Sequence, residues 1–135
     1  MGAGLGGLGA AISLLLAGHS VKVLESAPAI GEVGAGIQVL PNSARVLKSW
    51  GLEGKLRPLA TEPKKCNYIG WKGNRISTQD FHFYAKVLGA PFWDFHRADL
   101  HKSLLERAVE LGAELLTDCK VVDFTVAEDL SLIHI

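Results

Sequence analysis

The first residues restrict the fold more than anything that follows them. Gly2-Ala3-Gly4-Leu5-Gly6-Gly7 leads into an apolar stretch, and Val21-Lys22-Val23-Leu24-Glu25 comes next. Gly2, Gly4 and Gly7 fill the three glycine positions of G-x-G-x-x-G. The first permits a tight turn, the second lets the backbone approach a pyrophosphate, and the third lets a helix pack closely on a strand. Residues from about 7 to 17 are expected to form that helix, with its N–H groups and positive dipole end towards the phosphates. Gly18 is placed to stop it. Glu25 closes a β-branched run, where a carboxylate can accept hydrogen bonds from a ribose diol. The same charge repels a 2′-phosphate, so this site is not expected to hold NADP. Together these pieces predict the turn, first helix and second strand of a dinucleotide-binding βαβ unit. The glycines alone are weak support in a chain with 15 Gly among 135 residues; the combination is what carries the reading. The apolar run lacks the positive flank of a secretory signal and is too short for a membrane span.

A βαβ unit needs a strand ahead of its first glycine, and only Met1 precedes Gly2. That strand normally lies inside the sheet. Its loss removes four or five aliphatic side chains worth roughly 1.5–3 kcal/mol each. The sum is comparable with the net stability of a whole domain, about 5–15 kcal/mol. The chain is therefore expected to be a piece of a longer protein, of doubtful independent stability. Its length suits one domain, expected over residues 1–127, with an atypical tail over 128–135. Fourteen basic and fourteen acidic residues cancel, which argues against nucleic acid or an anionic membrane surface as partner. Cys66 and Cys119 form no zinc spacing and read as reduced thiols, which leans towards a cytoplasmic (intracellular) setting.

Residues 26–40 read as a loop whose Gly31, Gly34 and Gly36 allow either close approach to a flat or charged group or a flexible crossover. A helix is expected over about 41–50, with Asn42 or Ser43 as N-cap and Ala44, Leu47 and Val46 facing inward. Gly51 would end it. Arg45 falls in its first turn, where a cation suits the dipole poorly; that favours a ligand phosphate over plain solvation. Residues 67–71 and 75–78 flank Lys72-Gly73-Asn74 as a β-hairpin. The aromatic series Phe81, Phe83, Tyr84, Phe92, Trp93 and Phe95 reads as core and loop packing. A helix begins near Asp99 and shows Leu100, Leu104, Ala108 and Leu111 on one face, with Lys102 and Glu106 paired and Gly112 as its stop. Arg97, just before it, suits phosphate or cofactor oxygens, and a salt bridge to Asp99 accounts for it equally well. His96 and His101 lack a third ligand, so no metal site is expected. Residues 114–117 and 120–126 read as strands of the same sheet.

With these pieces placed, the chain resembles the N-terminal part of the FAD-dependent aromatic hydroxylases (group A flavoprotein monooxygenases), especially the fungal salicylate hydroxylase-like enzymes. The carrying residues are the loop from Gly2 to Leu8, Val23-Leu24-Glu25, Gly34-Ala35-Gly36-Ile37 with Pro41-Asn42, and His96-Arg97-Ala98-Asp99-Leu100. The resemblance implies an α/β, Rossmann-like FAD/NAD(P)-binding fold, partial here, with its first strand and C-terminal half missing. It implies FAD as cofactor, NAD(P)H as co-substrate and hydroxylation of a small aromatic substrate with O₂. The implied cofactor-binding residues are Gly2, Gly4, Gly6, Gly7, Glu25, Gly34, Ala35, Gly36, Arg45, Arg97 and Val121, and no catalytic residue is assigned. The cofactor performs such chemistry while protein positions it and excludes water. The segments such enzymes use further along for the ribityl chain and substrate are missing, so the piece alone is expected to be inactive. An NAD-binding dehydrogenase domain, or a non-catalytic truncated product, stands as the alternative.

Overall fold

A computed structural model of the chain describes residues 2–31, 34–126 and 131–134. In chain order the elements are α1 (Leu5–Leu16), β1 (Lys22–Leu24), β2 (Gly36–Val39), α2 (Pro41–Ser49), α3 (Glu53–Leu56), a 3-10 turn (Arg57–Leu59), β3 (Lys65–Ile69), β4 (Arg75–Asp80), α4 (Phe81–Leu88), β5 (Trp93–His96), α5 (Arg97–Glu110), β6 (Glu114–Leu116), β7 (Asp123–Val126) and β8 (Ser131–His134). They divide into two compact units, Met1–Val33 with His101–Ile135, and Gly34–Leu100.

In the first unit β1 and β6 run parallel, with Val23 opposite Leu115 and Leu24 opposite Leu116. Val23 and Leu24 are buried, as are Leu8, Ala11 and Ile12 of α1 and Leu104 and Ala108 of α5. Of the face expected for α5, Leu100, Leu104 and Ala108 are buried, while Leu111 follows the helix and is only half-buried. The glycine stop after α1 follows a Schellman pattern: Gly18 takes φ +88°, its N–H donates to Leu15, and the N–H of His19 donates to Leu14. A residue without Cβ enters that left-handed conformation without strain. The same two bonds close α2 at Gly51 and α5 at Gly112. Beyond β6 the expectation of one continued sheet fails. Asp118 turns left-handed at φ 55°, and Asp118 and Cys119 donate their N–H groups to Ala27 and Glu25. The chain thus bends away, and β7 pairs antiparallel with β8 instead of joining β1 and β6. Of the expected tail, residues 128–130 and 135 lie outside the described residues.

The second unit holds a strand where a loop was expected. β2 pairs antiparallel with β5, with Ile37 opposite Phe95 and Val39 opposite Trp93. Trp93 and Phe95 are buried and meet edge to face at 5.7 Å between ring centroids. The other aromatics split: Phe81 stacks on Phe92, while Phe83 and Tyr84 are exposed. The expected hairpin is present as β3 and β4, with a register shift between Tyr68 and Ile69. Helix α2 starts at Pro41 as expected, but its cap differs. Leu40 is its N-cap and Pro41 occupies the first turn, and neither Asn42 nor Ser43 caps it. Proline suits that position because its fixed φ is already helical and its missing N–H costs nothing there. Ala44 and Leu47 are buried, but Val46 is exposed.

The core assignment has a direct consequence. Leu8→Ala, at a fully buried position, is expected to cost about 2–5 kcal/mol. Leu16→Ala, at an exposed one, should change stability by about 0.5 kcal/mol or less. Urea unfolding of the two variants checks the contrast.

Candidate functional site

The glycine loop of the first unit is built around Ala3, which is buried. Its N–H donates to Glu25 Oε2 at 2.7 Å. Its carbonyl accepts from Nε2 of His101 at 2.6 Å, which places the ring proton on that nitrogen. A buried residue outside any helix or strand needs partners for both its N–H and its C=O, and here two side chains supply them. The third glycine is explained by the same crowding. A Cβ on Gly7 would collide with the carbonyl of Gly2. Gly4 and Gly6 have open space where a Cβ would stand. Gly4 is the N-cap of α1 and offers no side chain to the N–H groups of the first turn. Those groups have no intrahelical acceptor.

Glu25 is held at both ends. Its backbone N–H donates to Leu116 and its carbonyl accepts from Cys119, each at 2.8 Å. Oε1 accepts from the N–H of Ala27 at 2.9 Å and from the hydroxyl of Ser26 at 3.2 Å. The backbone N–H of Ala27 first, and that of Ala3 next, hold this carboxyl below its usual range, with partial burial opposing them. Ala3, Gly4, Glu25, Ala27, Ile30 and His101 line a cleft of about 110 Å³. Complete small-molecule pockets run to about 300–1,000 Å³, so this cleft is smaller than a whole ligand site.

The remaining candidates lie elsewhere. In the second unit Gly34 faces the ring of His96, and a Cβ on it would come within 2.5 Å of Nε2. The flat group that the loop glycine admits is thus an imidazole of the same unit. The carbonyl of Ala35 accepts from the N–H of Arg97 at 2.8 Å. Gly36 is the first residue of β2, opposite His96. Arg97 is the first residue of α5 rather than preceding that helix. Arg45 lies beyond the first turn of α2, so the dipole argument for it does not hold. Its Nη1 donates to the carbonyl of Leu88 at 2.7 Å, at the C-terminal end of α4, where a cation is favourable. Val121 is exposed and sits before β7, not within a strand. The residue that sequence reasoning missed is His101. Only its place on the apolar face of α5, one position after Leu100, set it apart.

Two consequences follow for the fold of this site. Gly7→Ala should destabilise the first unit by about 1–3 kcal/mol through overpacking, whereas Gly4→Ala should leave thermal unfolding nearly unchanged. A carboxyl whose folded pKa is depressed contributes stability above its unfolded pKa, and that contribution is lost as pH falls through the folded value. Stability should therefore decline on the acid side of the ordinary carboxylate range, and Glu25→Gln should flatten that part of the decline. Urea midpoints measured from about pH 7 to about pH 3 test the sign.

No family model matches the chain. It is 40% identical over 124 residues to the FAD-dependent monooxygenase OpS4 of Beauveria bassiana (strain ARSEF 2860), a match covering 90% of this chain and 29% of that protein. It is 40% identical over 126 residues to 3-hydroxybenzoate 6-hydroxylase of Polaromonas naphthalenivorans (strain CJ2), covering 90% and 31%. The crystal structure of 2-methyl-3-hydroxypyridine-5-carboxylic acid oxygenase matches with a TM-score of 0.76 at 28% identity, over 90% of this chain and 31% of that one. The chain thus spans about 30% of the length of the curated relatives it matches. Over the part these matches span, its relatives are FAD-dependent monooxygenases and aromatic hydroxylases.

Proposed function

We propose that this chain supplies the adenosine side of the FAD site of an enzyme that hydroxylates a small aromatic substrate with NAD(P)H and O₂. The observation that carries this reading is the meeting of the glycine loop and the Glu25 carboxylate in one cleft. The residues fit the group. A carboxylate accepts at about four lone-pair positions, and Ala3, Ala27 and Ser26 engage three of them. Room remains for a ribose hydroxyl. The uncapped first turn of α1 offers N–H groups and a positive dipole end to a pyrophosphate. Gly2 and Gly7 shape the turn, and the open space over Gly4 admits a phosphate to the backbone; we place Gly6 with the cofactor on family resemblance.

The flavin, when bound, supplies the redox and oxygen-transfer chemistry. The work of this chain is to bind and orient it. In the second unit, Gly34, Ala35, Gly36 and Arg97 are our candidates for further cofactor contact, with Arg97 as the charged group suited to phosphate oxygens. We assign Val121 to the adenine end, through its backbone, on family resemblance. Arg45 we place with the cofactor only through the same resemblance, since its guanidinium already serves α4. The relatives are named for 3-hydroxybenzoate and related rings, which supports a hydroxylated aromatic acid as the substrate class. Among the described residues no helix is long and apolar enough to cross a membrane. We expect the chain by itself to be inactive.

Glu25→Ala tests this function. Losing a hydrogen bond to a charged acceptor is worth about 1.5–3 kcal/mol, or roughly 10–100-fold in affinity. A flavin titration should show FAD binding weakened by that factor. Unchanged affinity would remove Glu25 from the site.

A further inference from the structure

The geometry points to His101 as a positioning residue for the cofactor's pyrophosphate, an inference that rests on the FAD reading above. His101 is buried, and its Nε2 meets the Ala3 carbonyl at 2.6 Å. That carbonyl belongs to the Ala3–Gly4 peptide, which is trans. In a planar trans peptide the C=O and N–H point in opposite directions. Holding the oxygen of Ala3 towards α5 therefore aims the N–H of Gly4 away from the imidazole. Gly4 is exposed, lines the cleft and has open space above its Cα. Among the described residues its N–H meets no acceptor, whereas the neighbouring N–H of Ala3 is taken by Glu25.

The division of labour follows from those partners. Glu25 engages the peptide before Ala3 and keeps an acceptor for the ribose. His101 engages the peptide after Ala3 and leaves a donor facing outward, beside the uncapped first turn of α1. A rotation of the Ala3–Gly4 peptide would replace that donor with a carbonyl oxygen, which repels a phosphate. The imidazole blocks this rotation by binding the oxygen on the far side. It acts 98 positions away in sequence and has no need to touch the ligand. Helix α5 gives it a firm base, since Ser103, Leu104 and Ala108 are buried along the same helix.

The test is a flavin titration of the chain within its full-length protein, comparing the unchanged sequence with His101→Gln and His101→Leu. Glutamine keeps an N–H donor, while leucine fills similar space without one. The expected result is FAD affinity reduced at least tenfold in the leucine variant and held within about threefold in the glutamine variant. Melting temperatures measured without FAD serve as the control for packing. Equal losses in both variants, or an unaffected leucine variant, would overturn the positioning role. An unchanged protein that bound no FAD at all would instead overturn the cofactor reading, and this inference with it.

Discussion

Everything in the first unit turns on how the backbone of one buried residue is satisfied. Ala3 is 3% exposed and belongs to a turn, so neither a helix nor a sheet ladder serves its polar groups. Leaving a buried donor or acceptor unmade costs about 1–3 kcal/mol. Glu25 takes its N–H and His101 takes its C=O. One partner comes from the end of β1 and the other from α5, so the loop is braced from both sides by side chains distant in sequence. The glycines then have separate duties. Gly7 lets α1 approach Gly2 without a clash, and Gly4 keeps the opposite side of the turn open.

The acid is as well placed as the loop it holds. Glu25 continues the pairing of β1 with β6 through Leu116, and the chain after β6 returns to it through Cys119. Its carboxylate therefore projects from a backbone fixed on both sides, which limits the rearrangement needed to receive a hydroxyl group. Preorganisation of this kind lowers the ordering cost of binding. The salt bridge between Lys22 and Glu114 across the same strands is solvent-exposed and adds little by comparison. Position, and not net charge, sets the character of this cleft.

Much of this arrangement was legible in the sequence wherever the determining interactions are local. Helix stops at Gly18, Gly51 and Gly112 follow from backbone conformation within a few residues. The buried face of α5 follows from spacing, and the hairpin of β3 and β4 from its turn. What stayed hidden depends on contacts between distant segments. The strand at Gly36–Val39 is short and glycine-led, and it exists because β5 pairs with it. Arg45 reads as a misfit until α4 is seen to end at its guanidinium. Val121 loses its expected strand to the bend at Asp118. The tie between His101 and Ala3 has no local signature, because the residue pair is defined only once α5 lies beside the glycine loop.

A crystal structure of the full-length protein with FAD bound is the decisive measurement. It should show the adenosine ribose within hydrogen-bonding distance of the Glu25 carboxylate, a phosphate oxygen on the N–H of Gly4, and His101 still donating to Ala3. A cofactor seated away from the glycine loop, or a Gly4 N–H turned from the phosphates while FAD is bound, would contradict that arrangement.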